Sequence, residues 1–153
     1  MDGFAIEALK PAAEPALADE TVSAFARLLP QLSAGTPVPD RARVARVLGH
    51  PGNTVFAART APEGRILGLL TLVTLELPSG TQMRVEDVVV DAAARGLGVG
   101  RALVTAALRA AADGGVRFVD LTSAPHRVAA RELYRRLGFV ERDTGVFRHT
   151  LEH

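Results

Sequence analysis

One stretch decides the fold: Val85-Glu-Asp-Val-Val-Val-Asp-Ala-Ala-Ala-Arg-Gly-Leu-Gly-Val-Gly-Arg-Ala-Leu-Val104. Its β-branched beginning over residues 85–90 predicts a strand, and the apolar spacing over residues 101–112 predicts an amphipathic helix. The predicted apolar face of this helix consists of Val99, Ala102, Leu103, Ala106 and Ala110. A glycine-rich turn joins the two. The first N–H groups of a helix have no internal partner, and the helix dipole adds positive potential there. The arrangement therefore favours binding of an anion such as a phosphate.

The glycine spacing separates three kinds of phosphate-binding loop. A P-loop is excluded because the chain has no Gly-Lys pair. The dinucleotide fingerprint Gly-x-Gly-x-x-Gly fails in both registers, since it would need glycine at Arg101 or at Leu103. The pattern Arg-x-x-Gly-x-Gly does fit. We therefore predict a pyrophosphate-binding loop, although the glycines could also serve only to end a strand and open a helix. This glycine loop consists of Arg95, Gly96, Leu97, Gly98, Val99, Gly100 and Arg101.

A second motif lies in residues 123–140, where the chain has the pattern Leu-Tyr-x-x-x-Gly-Phe at Leu133, Tyr134, Gly138 and Phe139. Pro125 suits a helix start and Gly138 suits a helix C-cap, so the segment predicts a helix that turns into a strand. In their order and spacing, the two motifs resemble the signatures of the GNAT superfamily of N-acetyltransferases, over roughly residues 67–151. Many members have an asparagine at the position of Arg127, where it contacts the pantetheine arm of the cofactor.

The resemblance implies an α/β GNAT fold with a mixed central sheet of about six to seven strands flanked by about four helices. We expect a single domain over residues 1–151, and residues 152–153 look like the remnant of a histidine tag. Periodicity and turn signals place strands at residues 4–9, 54–59, 66–77, 83–91, 118–121, 140–143 and 146–151, and helices at 14–32, 41–48, 101–112 and 125–137. The last two strands would close the sheet as a hairpin.

The resemblance also implies acetyl-coenzyme A (acetyl-CoA) as the cosubstrate. In this family the fourth and fifth strands run parallel and splay apart, with the pantetheine arm in the gap. That arm would then bind to the main-chain groups of Val88, Val89 and Val90. Arg127, which replaces the asparagine, would contact the cofactor at that position. Tyr134, the only tyrosine of the chain, falls at the position of the family's general acid. Its ring could equally pack in the core, and the two roles are compatible.

Glu86 and Asp87 are the candidate bases for the attacking amine. Strand alternation sends them to opposite faces and places Glu86 on the face of Val88 and Val90, so Glu86 is the first candidate. Asp87 could orient the amine, and a water relay could replace a direct base. For either acid the structural alternative is a salt bridge, for instance to Arg84.

Composition excludes several other classes of protein. A net charge of +1 gives no broad electrostatic case for nucleic acid or a membrane surface as a partner. The absence of cysteine excludes an acetyl-cysteine intermediate, so that transfer would be direct. The four histidines show no metal-ligand spacing, and we expect no metal. The beginning of the chain has no signal-peptide pattern, so we expect a cytoplasmic protein.

The resemblance, taken together with these features, implies an N-acetyltransferase that moves the acetyl group of acetyl-CoA to a primary amine of a small molecule in a ternary complex. One alternative is a non-catalytic acyl-CoA-binding or sensor module, which would share the glycine loop but not depend on Tyr134 or Glu86. Another is a transferase for protein N-termini or lysines. A homodimer through the last hairpin is a further expectation.

Overall fold

The computed structural model describes residues 3–61 and 63–153. The chain divides into two units, Met1–Thr122 and Ser123–His153. In the described residues of the first unit, a mixed sheet has the strand order β1-β2-β3-β4-β5, with neighbouring strands antiparallel except for the parallel pair β4 and β5. The strands are β1 (Ala5–Ala8), β2 (Asn53–Arg59), β3 (Ile66–Leu77), β4 (Gly80–Val90) and β5 (Val119–Asp120).

The α-helices are α1 (Asp19–Leu28), α2 (Arg41–Gly49) and α3 (Val99–Asp113) in the first unit and α4 (Val128–Arg136) in the second. The predicted helix over residues 14–32 is broken into α1 and two short 3-10 turns, Glu14–Ala16 and Leu29–Gln31. Each turn carries a proline near its start, and proline lacks the N–H that a continuous α-helix would use. Asp40 caps α2 by accepting a hydrogen bond from the Arg43 N–H at 2.8 Å.

The main core lies between the sheet and the first two helices. Apolar side chains at helical spacing on α1 and α2 pack against one face of the strands, where Val55, Ala57, Leu69 and Val89 are buried. Because successive strand residues point to opposite faces, Gly68 belongs to the other face. A Cβ at Gly68 would lie 3.0 Å from Val99 Cγ1 and 3.1 Å from Leu103 Cδ1. The missing side chain therefore lets α3 approach the sheet closely.

The buried face of α3 is rotated from the predicted one. Val99 and Leu103 are buried as expected, but the remaining buried positions are Val104, Ala107 and Ala111. The predicted Ala102, Ala106 and Ala110 are half-buried and line an open groove beside β1 and β2. Alanine is compatible with either environment, so its spacing alone could not fix the rotation of the helix.

In the second unit, the structure corrects the prediction of a closing hairpin. Residues 137–153 contain no helix or strand, so the described residues give a sheet of five strands rather than six to seven. Val140, Val146, Phe147 and Leu151 are exposed. Alternating apolar residues favour a strand only where a neighbouring strand is available, and this pairing is not encoded in the segment itself.

Candidate active site

A short turn, Asp91 to Ala94, leads from β4 into the glycine loop. The Asp91 carboxylate accepts hydrogen bonds from the Ala93 N–H at 3.1 Å and from Arg65 Nη2 at 3.3 Å, while Arg27 Nε lies 3.7 Å away from it. The Ala94 N–H donates to the Asp91 carbonyl at 2.8 Å. The Ala93 amide first, and then the two guanidinium groups, hold the pKa of Asp91 below its ordinary value, although burial acts in the opposite direction. A buried, charged cap thus fixes the entry to the loop.

The glycine loop has the backbone conformation that its glycines allow. Gly96 and Gly98 have φ values of 81° and 83°, in the left-handed region that disfavours side chains. The first helical hydrogen bond of α3 runs from the Ala102 N–H to the Gly98 carbonyl at 3.0 Å. The N–H groups of Val99, Gly100 and Arg101 therefore precede the helical ladder and have no carbonyl partner within it. Arg95, Leu97 and Arg101 are exposed.

The edge of β4 that faces β5 is mostly without a strand partner. The parallel ladder pairs Met83 with Val119 and Arg84 with Asp120. Beyond Arg84, β4 continues to Val90, and within the described residues this part is paired only with β3. Val88, Val89 and Val90, the predicted ligands of a pantetheine arm, lie in this part of the strand. The expected parallel pairing of the fourth and fifth strands is present, and the ladder between them ends at Arg84.

A β-bulge interrupts β4 at the two candidate bases. Thr71 pairs with Glu86 and Leu69 pairs with Val89, so both Asp87 and Val88 stand opposite Leu70. Asp87 has a φ of 50°, which is uncommon for a residue other than glycine. The additional residue reverses the alternation.

Because the alternation of side chains is reversed after the bulge, the prediction that Glu86 lies on the same face of the sheet as Val90 is wrong. Across an antiparallel ladder, paired residues share a face of the sheet. Glu86 therefore shares its face with Val89, and Val90 shares its face with Val85, through the pairs that β4 makes with β3. Uninterrupted alternation had placed Glu86 with Val88 and Val90.

The two acids have different surroundings. Glu86 Oε1 accepts Arg84 Nε at 3.1 Å, so the salt bridge considered from the sequence is present. Partial burial of the carboxyl, and then the neighbouring charge of Glu86, raise the pKa of Asp87, although the residue as a whole is exposed. A carboxylate with a raised pKa holds a proton more readily, and this is a property that a general base requires.

In the second unit, Tyr134 belongs to a helix-ending Schellman motif. The Phe139 N–H donates to the Tyr134 carbonyl and the Gly138 N–H to the Arg135 carbonyl, both at 3.0 Å, and Gly138 has a φ of 94°. The Tyr134 and Phe139 rings meet edge to face, with centroids 5.7 Å apart. The motif Leu-Tyr-x-x-x-Gly-Phe thus encodes a helix end with its own hydrophobic contact.

Burial raises the pKa of the Tyr134 hydroxyl, while the positive charge of Arg127 acts against this shift. The hydroxyl therefore stays protonated at neutral pH and can donate a proton. On the same helix, Arg131 and Arg135 pair with Glu141 at 2.8 and 3.5 Å, and this pairing lowers the pKa of the Glu141 carboxyl. These two arginines are thus engaged within their own unit.

Comparison with known proteins decides the family. The model of the Acetyltransferase (GNAT) family matches residues 16–139. The chain belongs to the GNAT family. A curated relative, the probable glucosamine 6-phosphate N-acetyltransferase 2 of Oryza sativa subsp. japonica, is 42% identical over 85 residues, which are 54% of this chain and 49% of the relative. This chain therefore matches about half the length of that protein.

Solved structures share the GNAT fold over nearly the whole chain. An aminoglycoside acetyltransferase from an uncultured soil metagenomic sample, in complex with trehalose, is similar with a TM-score of 0.82 and 23% identity, over 97% of both chains. AAC(6')-Iy in complex with the bisubstrate analogue CoA-S-monomethyl-acetylneamine is similar with a TM-score of 0.74 and 20% identity, over 98% of this chain and 99% of the other. At these identities the similarity concerns the fold alone.

Sequence reasoning missed the residues that surround the turn before the glycine loop. Arg27 and Gln31, on α1 and the following 3-10 turn, both reach it, and Asp91 was read only as the last residue of a strand. An aspartate directly before an alanine-rich turn is a possible cap, and this was the available signal. No pattern in the sequence pairs it with Arg27.

The described residues, 3–61 and 63–153, contain neither a metal-binding cluster nor a membrane-spanning helix. No group of three or more His, Asp or Glu side chains among them could hold a metal ion, and no helix among them is long and apolar enough to cross a membrane. The independence from metal, the cytoplasmic location and the homodimer stay predictions.

Proposed function

We propose that this GNAT protein transfers the acetyl group of acetyl-CoA directly to a primary amine of a small molecule in a ternary complex. The observation that carries the proposal is the sequence of features along one short segment. A strand with an open edge runs through a capped turn into a glycine loop, which presents free N–H groups at the start of α3. Such a segment can bind an extended ligand that has a polar arm and a phosphate group.

The residues present fit acetyl-CoA, which supplies an activated acetyl thioester. The N–H groups of the glycine loop would bind the pyrophosphate, since the left-handed glycines leave open space where side chains would stand. The exposed Arg95 and Arg101 add positive charge. Main-chain groups of residues 88–90 would bind the pantetheine arm, and Arg127 would contact the cofactor where relatives carry asparagine.

Within this proposal, an acid of β4 receives the proton of the attacking amine. The raised pKa of Asp87 supports it as the base, and the bulge supports a functional role because strained backbone is concentrated at functional sites. Glu86, paired with Arg84, would orient the amine or serve as the base through a water molecule. Tyr134, whose hydroxyl stays protonated, would donate a proton to the leaving thiolate.

A small amine as the acceptor is supported by the names of the similar proteins. One relative is named for glucosamine 6-phosphate, one structural neighbour is named for aminoglycosides, and another is bound to the bisubstrate analogue CoA-S-monomethyl-acetylneamine. These substrates are amino sugars or contain them, and differ widely in charge. The proposal is therefore limited to a primary amine on a small, polar molecule.

The first experiment measures binding of CoA and acetyl-CoA by thermal shift and calorimetry. Ligand at about 100 times its dissociation constant stabilises the native state by about 2.7 kcal/mol, which corresponds to roughly 5–10 °C for a chain of this size. Gly98→Glu should abolish the shift, because a carboxylate would repel the pyrophosphate. Gly115→Glu is the matched control, since Gly115 has a φ of 74° and follows the other end of α3. It bears the same backbone strain and should keep the shift.

The second experiment tests transfer with a panel of amino sugars, aminoglycosides, polyamines and peptides, monitored by CoA release. Release with a small amine, lost in Tyr134→Phe, would support the proposed reaction. Binding of acetyl-CoA without release on any amine would favour the non-catalytic module, and release with peptides alone would favour a protein acetyltransferase. No binding of CoA to the wild type would refute all three.

A further inference from the structure

Gln31 connects the first helical segment, which consists of α1 and the 3-10 turn Leu29–Gln31, to the turn before the glycine loop. Its Oε1 accepts the N–H of Ala92 at 2.9 Å, although the two residues are 61 positions apart in the chain. Its Nε2 donates to the carbonyl of Arg27 at 3.3 Å, which is one helical turn earlier. The two contacts fix the orientation of the amide, because Ala92 N–H can only donate and the Arg27 carbonyl can only accept.

Arg27 reaches the same region of the chain. Its Nη2 donates to the Ile66 carbonyl at 2.7 Å, while its Nε lies 3.7 Å from the Asp91 carboxylate. Glu20 completes the arrangement by accepting the Ile66 N–H at 3.0 Å. The first helical segment is therefore tied by polar side chains both to the start of β3 and to the end of β4.

These contacts fix the loop at one end. Ala94 is 1% exposed and ends the turn, and Val99 is 1% exposed and begins α3. Between them, residues 95–98 are exposed and include two glycines in the left-handed region. Because residues 95–98 are a short connection between the turn and α3, their position depends on both of its ends. A shift of the turn would therefore move the N–H donors of the glycine loop relative to a ligand.

We propose that Gln31 is a positioning residue for the glycine loop: through Ala92 it holds the loop where its N–H groups bind the pyrophosphate of CoA. The inference rests on the proposed function, since it assigns a role within the same cofactor site. It extends that site to a residue outside both sequence motifs. Gln31 does not itself touch the cofactor in this proposal and acts only through the turn.

The test compares Gln31→Leu with the wild type in titrations with CoA. Loss of one hydrogen bond that orders the loop should raise the dissociation constant about three- to tenfold. Gln31→Met, with an unbranched side chain, is the second variant in case a branched one disturbs the helix end. Gln82→Leu is the matched control, because Gln82 lies at the far end of β4 from the loop and should leave CoA affinity unchanged.

Amide hydrogen exchange separates positioning from a general loss of stability. In both Gln31 variants the Ala92 amide should exchange at least about tenfold faster. The next amide back, that of Asp91, donates to the Leu67 carbonyl at 2.8 Å and should keep its protection. A loss of global stability alone would raise both exchange rates and leave the dissociation constant of the folded protein unchanged.

The outcomes distinguish the inference from the proposed function. If the wild type does not bind CoA, both are refuted. If the wild type binds CoA and the Gln31 variants bind it equally well, the positioning role is refuted and the cofactor site stands. Weaker CoA binding together with faster exchange at Ala92 alone is the result that we expect.

Discussion

Gly68→Ala tests the close approach of α3 to the sheet, on which the glycine loop depends. A Cβ at Gly68 would lie 3.0 Å from the Val89 carbonyl oxygen, 3.0 Å from Val99 Cγ1 and 3.1 Å from Leu103 Cδ1. The first contact is with backbone in a paired strand. The other two are with side chains that are 1% and 0% exposed. No neighbour can move away into solvent, so the helix itself must shift.

The expected cost follows from these contacts. Overpacking of a well-packed core destabilises by about 1–3 kcal/mol. Replacing glycine by alanine also restricts the unfolded chain, which stabilises by about 0.4–1 kcal/mol. The middle of these ranges gives a net loss of about 1.3 kcal/mol, or roughly 3–5 °C in Tm for a chain of this size, and the upper limit is about 2.6 kcal/mol. Since Val99 begins α3, the same shift should move the glycine loop and weaken CoA binding.

Urea unfolding followed by circular dichroism measures the stability, and a CoA titration measures the second effect. Gly49→Ala is the matched control, because Gly49 ends α2 and a Cβ there would meet no atom within 4 Å. It should be neutral or stabilising. If Gly68→Ala were as stable as Gly49→Ala, the close packing of α3 on β3 would be refuted. If it were unstable but bound CoA normally, the link from packing to the loop would be wrong.

Three further predictions concern the turn and the second motif. The pKa of Asp91 is lower in the folded protein than its unfolded value of about 3.9, so the ionised carboxylate stabilises the fold above that pH and loses this effect as the pH falls through the folded-state pKa. In acid unfolding, Asp91→Asn should therefore lose less stability than the wild type between neutral pH and about pH 3. Tyr134→Phe removes only the hydroxyl and keeps the ring contact with Phe139, so turnover should fall by about a hundredfold through loss of the acid, while CoA affinity stays unchanged. Unchanged turnover would exclude an acid role. Gly138→Ala forces a side chain into the left-handed region and should lower thermal stability by about 1 kcal/mol, and an unchanged Tm would contradict the helix end described for α4.

Several features of the site could be predicted from short stretches of sequence. The glycine loop was predicted correctly as the connection between a strand and a helix, because Gly96 and Gly98 supply backbone conformations that other residues avoid. The helix end at Gly138 was predicted for the same reason. In both cases the deciding interactions lie within a few residues of one another.

The bulge at Asp87 could not be predicted in this way. An uninterrupted β-branched run gives no sign that one residue is inserted relative to β3, and the insertion reverses the face of every residue after it. The prediction for the facing of Glu86 was wrong for this reason. The two additional strands were predicted from alternation alone, which does not specify a pairing partner.

By itself, the sequence indicated the family and determined the order of the main elements up to α4 and the place of the glycine loop, since these depend on local backbone preferences and on spacing within short motifs. Only the tertiary structure decided which face of α3 is buried, how Asp87 is set in its strand, and that Gln31 and Arg27 hold the turn at Asp91. Those contacts join residues that are more than 60 positions apart. Their partners are selected by the packing of helices on the sheet, and no short pattern in the chain records that choice.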